Sequence, residues 1–137
     1  MTQRKETALH WAAFYQHHGV VGILIKHNAD ADICDCDGKT ALHKAVMRED
    51  VASVQALLKA RRINVDAEDA QLWTPLRWAA AYGNHTLIEI LISQGKAKVD
   101  LQDRDAYTAL RWAAKNGHRQ AIDALIKHGA SPDVPCT

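Results

Sequence analysis

Cysteine, proline and glycine are scarce in this 137-residue sequence, with 3, 3 and 7 copies, and the aromatic set is only four Trp, three Tyr and one Phe. The cysteines, Cys34, Cys36 and Cys136, are odd in number and lack the spacing of a disulfide framework, which points to a reducing compartment, the cytoplasm with the nucleus also open. Cys34-x-Cys36 is too tight for a zinc knuckle, and no second pair closes a tetrahedral site, so no metal is expected. No apolar run of about 18 residues and no leader pattern in the first residues can be read, which predicts a soluble chain without a membrane role. With 17 Lys+Arg against 16 Asp+Glu, there is no broad basic excess of the kind that drives nucleic-acid binding. A Gly-rich phosphate loop, a Gly-x-Ser-x-Gly elbow and a nucleophile with a placed base are all missing, so neither catalysis nor a cofactor is expected. Asp30 to Gly38 has the acids of a calcium loop but not its register. With Gly38 in sixth place, Ile33 and Lys44 fall where the first and twelfth carboxylates belong.

What is present is a repeat. Thr7-Ala8-Leu9-His10-Trp11-Ala12-Ala13 returns at Thr40, Thr74 and Thr108, at spacings of 33, 34 and 34, the third copy reading Thr74-Pro75-Leu76-Arg77-Trp78-Ala79-Ala80. A second apolar set follows each copy at fixed offsets: Val21, Leu24 and Ile25; Val54, Leu57 and Leu58; Ile88, Leu91 and Ile92; Ile122, Leu125 and Ile126. Thr is a good helix N-cap, and Pro75 suits the first helical position, where its missing N–H costs nothing. The Ala pair lets a neighbouring helix approach closely, and Gly83 and Gly117 suit the left-handed residue that ends a short helix. The second set, at i, i+3 and i+4, forms one stripe on a following helix. Helices of about 8 or 9 residues are unstable alone, so stacking must hold them. Asp- and Gly-bearing connectors fill residues 28–39, 60–73 and 94–107.

The Thr-Pro-Leu-His-x-Ala-Ala pattern with its second-helix stripe and the recurrent Asp35, Asp69 and Asp103 resembles the ankyrin repeat over nearly the whole chain. The resemblance implies an all-α solenoid of stacked helix-turn-helix pairs with projecting β-hairpin-like loops. It divides residues 1–137, as one domain, into repeats at approximately 4–34, 35–68, 69–102 and 103–137. Departures from the pattern carry expectations of their own. Leu72 and Ala106 replace the turn glycine seen at Gly38, and Gln16 and Glu49 replace the helix-ending glycine, so these turns are expected to be distorted. The motif histidine, implied to reach the preceding loop from His10 and His43, becomes Arg77 and Arg111, where that contact is not expected. The family's hydroxylated Asn matches Asp32, Asp66, Asp100 and Asp133, so that modification is not expected.

Stack-forming residues leave discrimination to the loops and to the groove-facing ends of the first helices. Family offsets place Phe14, Tyr15, Met47, Arg48, Trp73, Tyr82, Arg104 and Tyr107 there as partner-binding candidates, rich in the aromatic and Arg types that dominate interfaces. Trp11, Trp78 and Trp112 form a column broken by Lys44 and are read instead as an inter-repeat core stack. His17, His18, His27, His85, His118 and His128 fall at helix ends and are read as surface or capping residues. Val20, Val21 and Ile23 in the first repeat, and Ala121, Ala124 and Leu125 in the last, are read as apolar outer faces, so the chain is expected to be a piece of a longer array or a minimal domain with weak ends. Three readings of function follow. The first is a non-enzymatic protein-protein interaction module, gripping a peptide or folded protein across loops and groove. The second is a structural spacer in a longer array. The third, a nucleotide or nucleic-acid binder, requires Lys39, Arg48, Arg104 and Lys115 to converge.

Overall fold

The computed structural model describes residues 6–133; Cys136 and the remaining terminal residues lie outside the described range. Eight helices follow in pairs: α1 (Ala8–Phe14) with α2 (His18–Lys26), α3 (Ala41–Met47) with α4 (Val51–Leu57), α5 (Pro75–Tyr82) with α6 (His85–Ser93), and α7 (Ala109–Lys115) with α8 (Arg119–Lys127). Each first helix begins at its repeat threonine. The hydroxyls of Thr7, Thr40, Thr74 and Thr108 accept the backbone N–H three residues on, at 3.2 to 3.4 Å, which satisfies one of the donors a helix start leaves free. Each cap extends into a long, buried column of small residues, Ala12, Ala45, Ala79 and Ala113, across which α1, α3, α5 and α7 pack in one row. The second helices form the other row, burying Val21, Val54, Ile88 and Leu125 beneath it. Each buried methylene contributes about 0.8 kcal/mol, and helices of 7 to 9 residues hold together only through these seams.

The connectors contain no strand among the described residues; the hairpin likeness is confined to one closed turn each. In the first, Asp35 N–H donates to the Lys39 carbonyl at 2.9 Å, and Gly38 N–H returns to the Asp35 carbonyl at 3.0 Å. Asp69 and Asp103 repeat this closure with Trp73 and Tyr107. The expected distortion at the substituted glycines does not occur. Leu72 and Ala106 hold φ of 62° and 63°, beside 73° at Gly38, and Gln16 and Glu49 hold 62° and 55°, beside 74° at Gly83. The surrounding hydrogen bonds impose the left-handed backbone whichever residue stands there, at roughly 1–2 kcal/mol for each L side chain.

The motif histidines reach the following connector, not the preceding one. His10 Nδ1 accepts Thr7 N–H at 3.1 Å, so Nε2 carries the proton and donates to the Lys39 carbonyl at 2.9 Å. His43 does the same between Thr40 and the Trp73 carbonyl, at 3.1 and 2.8 Å. Arg77, contrary to expectation, keeps the contact. Its guanidinium donates to the equivalent Tyr107 carbonyl at 2.7 Å, and also to the carbonyls of Leu101 and Leu72. It is fully buried, with the Asp103 carboxylate 4.0 Å away and Nε without a partner. Asp32, Asp66 and Asp100 staple successive connectors at the other edge, accepting from the backbone N–H of Asn64, Lys98 and Ser131.

One further expectation needs correction. Val21, Ala121, Ala124 and Leu125 are buried by their own repeats, and the apolar side chains left outside are Val20 and Ile23 on α2 and Ile126 on α8. His17 and His118 occupy helix N-caps without capping through their side chains; the caps of α4 and α6 are Asp50 and Asn84. His118 Nε2 turns instead to the Ala81 carbonyl, 3.0 Å away, and its ring lies where a Cβ on Gly83 would stand, 2.4 Å from Nδ1. A side chain at Gly83 would therefore carry the left-handed cost and also displace the His118 ring.

Candidate interaction face

The eight aromatic side chains of the sequence all lie on the α1–α3–α5–α7 face, in two clusters. In the first, Trp11 and Tyr15, one helical turn apart, stack at 5.4 Å with 10° between their planes, and Phe14 meets Tyr15 edge-on at 5.1 Å. In the second, five rings run in sequence across two repeats: Tyr82 to Trp78 at 5.9 Å, Trp78 to Trp73 at 4.6 Å, Trp73 to Trp112 at 4.9 Å, and Trp112 to Tyr107 at 5.7 Å. Such offset and edge contacts favour one another by about 0.5–1.5 kcal/mol beyond the area they bury.

The tryptophan column is therefore an inter-repeat core only in part, with Trp78 packed against the core and Trp112 stacked on Trp73 of the preceding repeat. Trp11 is 48% exposed, and Trp78 and Trp112 are half-buried. Their orientation comes from the turns. The Asp69 carboxylate accepts the backbone N–H groups of Gln71 and Trp73 on one oxygen and the Trp78 indole N–H, at 3.0 Å, on the other. Asp103 holds Asp105, Tyr107 and the Trp112 indole, at 2.8 Å, in the same way. In the second repeat Lys44 takes the indole's place, its ammonium 2.9 Å from Asp35. Burial alone raises the pKa of all three carboxyls, but these hydrogen bonds outweigh it and hold them below the ordinary Asp value. Asp69 and Asp103 thus tie the shape of a turn to the position of a ring nine residues later, and Asp35 ties its turn to the Lys44 ammonium.

Five cations lie over the rings: Lys39 above Trp78 at 5.5 Å, Lys44 and Arg48 above Phe14 at 5.8 and 5.1 Å, Arg111 above Tyr107 at 4.4 Å, and Lys115 above Trp112 at 4.9 Å. Lys39 is neutralised by Asp69 at 3.5 Å, and Lys44 by Asp35 and Glu6. For Arg48, Arg111 and Lys115 no carboxylate among the described residues lies within ion-pair reach.

The sequence-derived candidates fall as follows. Phe14, Tyr15 and Arg48 share the first cluster, with Tyr15 52% exposed. Met47 ends α3 half-buried. Trp73, Tyr82 and Tyr107 belong to the second cluster, where Tyr82 is 43% exposed and its phenol pKa is raised by partial burial and then by the Glu49 charge. Arg104 bends across to the Ala70 carbonyl at 2.7 Å and walls a cleft of about 280 Å³ with Gln71, Trp73, Asp103, Asp105 and Trp112. Trp11, Trp78, Trp112, Lys44 and Arg111 were not foreseen as part of this face. For Lys44, Trp78 and Trp112 the signal was the constant nine-residue step from the turn aspartates Asp35, Asp69 and Asp103. Among the described residues no group of three His, Cys, Asp or Glu side chains is placed to hold a metal, and no helix is long and apolar enough to cross a membrane.

A family description of ankyrin repeats (3 copies) matches residues 1–69 and again 63–136. Human inversin is 37% identical over 92 residues, which is 64% of this chain and 9% of inversin, and mouse inversin is 36% identical over the same length. Mouse neurogenic locus notch homolog protein 1 is 38% identical over 84 residues, 61% of this chain and 3% of that protein. The chain thus spans less than a tenth of the length of these curated relatives. Ankyrin repeats are in general protein-protein interaction modules. With its matching repeats, capped helix pairs and stacked seams, this chain belongs to the ankyrin-repeat family.

Proposed function

We propose that this chain is a non-enzymatic docking module that grips a segment of another protein across the α1–α3–α5–α7 face. The observation that carries the reading is the gathering of every aromatic side chain of the sequence into two clusters on that one face, with ring edges left in solvent. Rigid aromatics bury large areas with few rotors to freeze, which is why they anchor interfaces. The exposed thiols of Cys34 and Cys36 support a reducing compartment, the cytoplasm or nucleus, for this role. The test is affinity capture from lysate with the chain and its Tyr15→Ala/Tyr82→Ala variant, after circular dichroism shows equal melting. Proteins retained by the first and lost by the second support the face. Identical capture profiles overturn it.

A second reading, a spacer within a longer array, is favoured by the outer side of the last pair. There Leu110, Ala114, Ile122, Ile126 and Pro132 line an open cleft of about 300 Å³ beside Arg111, whose counterparts in the other repeats each hold a carbonyl of a following connector. A chain extended past this cleft that melts well above the present one supports the spacer reading; equal melting removes it.

A further inference from the structure

We propose that this face selects an acidic segment of a protein partner, in which carboxylate side chains alternate with apolar ones at about three-residue intervals. The proposal rests on the docking reading above and adds the chemistry of what docks.

The geometry comes from one row of the repeat. Tyr15, Arg48, Tyr82 and Asn116 occupy equivalent positions at the C-terminal ends of α1, α3, α5 and α7, and all four are exposed. Packed helices lie about 8–10 Å apart and an extended chain advances about 3.3 Å per residue, so a peptide crossing the row meets successive repeats every third residue. Along that path it meets an aromatic, a cation, an aromatic, and then Asn116 with the Lys115 ammonium beside it.

Charge decides the sign of the ligand. Arg48 and Lys115 each rest on a ring, which strips water from one side of the cation, and neither has a carboxylate partner among the described residues. The acids at this edge are held to neutral donors. Glu49 accepts from the Asn84 amide at 3.2 Å and projects its charge toward Tyr82, where the ligand presents an apolar residue, and Asp50 caps α4 through Ser53. Asp37, Glu68 and Asp105 lie in the connectors before α3, α5 and α7, at the opposite ends of those helices. A carboxylate arriving over Arg48 or Lys115 therefore meets an uncompensated, partly desolvated cation, where pairing is stronger than in open water.

The probes are two synthetic peptides, Leu-Gly-Ser-Glu-Gly-Ser-Leu-Gly-Ser-Glu and the same sequence with Lys for Glu, titrated against the full chain by tryptophan fluorescence. The expected result is binding of the Glu peptide at least about tenfold tighter than the Lys peptide, with the preference reversed by Arg48→Glu/Lys115→Glu. Equal binding of the two peptides, or none up to about 1 mM, overturns the proposal. The Tyr15→Ala/Tyr82→Ala variant separates the two levels. If charge preference is absent but this variant weakens binding, the acidic ligand is wrong and the docking face stands. If a peptide binds this variant as tightly as the parent chain, the docking face itself is wrong, and the acidic proposal goes with it.

Discussion

Equivalent turns in this chain are built from different residues, so substitutions at them carry opposite predicted signs. At Ala106, φ is 63° and the residue is half-buried. Relieving a left-handed Ala gains roughly 1–2 kcal/mol, of which the extra freedom of Gly in the unfolded chain takes back about 0.5–1 kcal/mol. Ala106→Gly is therefore expected to stabilise by about 0.5 kcal/mol. At Gly38 the backbone is the same, with φ of 73°, but an added Cβ would lie 2.8 Å from Ala70 N, which itself donates to the Asp37 carbonyl at 3.0 Å. Gly38→Ala thus carries the left-handed cost, and the backbone that must move away is hydrogen-bonded to the same turn, a bond worth about 1 kcal/mol. The net expectation is a loss of roughly 1–2.5 kcal/mol, after the smaller unfolded-state gain is subtracted. Urea unfolding followed by circular dichroism measures both, with Leu72→Gly as a third point whose gain is reduced by the side chain it removes. Gly38→Ala within about 0.5 kcal/mol of the parent would refute the reasoning, because it would mean that the two turns do not pack backbone to backbone.

The remaining predictions concern the buried polar groups. The His43 pKa is lowered by burial, so the unfolded chain takes up the proton first; stability should fall as pH drops below 6.5 and level off below the folded value, and His43→Gln should flatten that limb in urea melts taken across pH. Asp69, with its pKa depressed, stabilises fully above about 3.8 and loses that contribution as pH falls through its folded value; Asp69→Asn places an amide against several N–H donors and should cost about 2–4 kcal/mol near neutrality, a parent-like urea midpoint being the contrary result. Arg77→Met strands the carbonyls of Leu72, Leu101 and Tyr107 and leaves Asp103 without its buried cation, for a loss of about 3–5 kcal/mol, whereas Arg77→His should recover part of it through the bond His43 makes in the same place; equal urea midpoints for the two variants would contradict this.

The helix pairs were legible because their cause is local and periodic. A capping threonine, a small-residue column and an i, i+3, i+4 stripe each act within a few residues, and the repeat states them four times over. The turns were misread for a physical reason. Glycine at such a position lowers the energy of a conformation that the Asp69 and Asp103 hydrogen bonds impose anyway, so its replacement by Leu72 or Ala106 changes the cost rather than the shape. Arg77 was misjudged because a contact was equated with an imidazole; a longer side chain ending in N–H donors reaches the same carbonyl. The candidate face was half legible. Family offsets found Phe14, Tyr15, Arg48, Trp73, Tyr82 and Tyr107, but Trp78 and Trp112 were assigned to the core, because a column at the repeat period says that residues are equivalent and not which side of the seam they occupy.

The donors that close the three seams are His10, His43 and Arg77, and they divide the chain mechanically. The middle seam, between α3–α4 and α5–α6, is the most thinly packed of the three, and one imidazole N–H, from His43 to the Trp73 carbonyl, is its motif side-chain bond. The last seam is closed by a guanidinium that keeps its protons at any pH the fold survives, and the whole five-ring cluster lies within the two repeats it joins. The first cluster and Arg48 lie on the other side of the middle seam. The molecule is thus two plates that meet at its thinnest seam, each plate carrying its own set of rings. A disturbance of the middle seam therefore changes the angle between the two sets before it moves the rings within either set relative to one another.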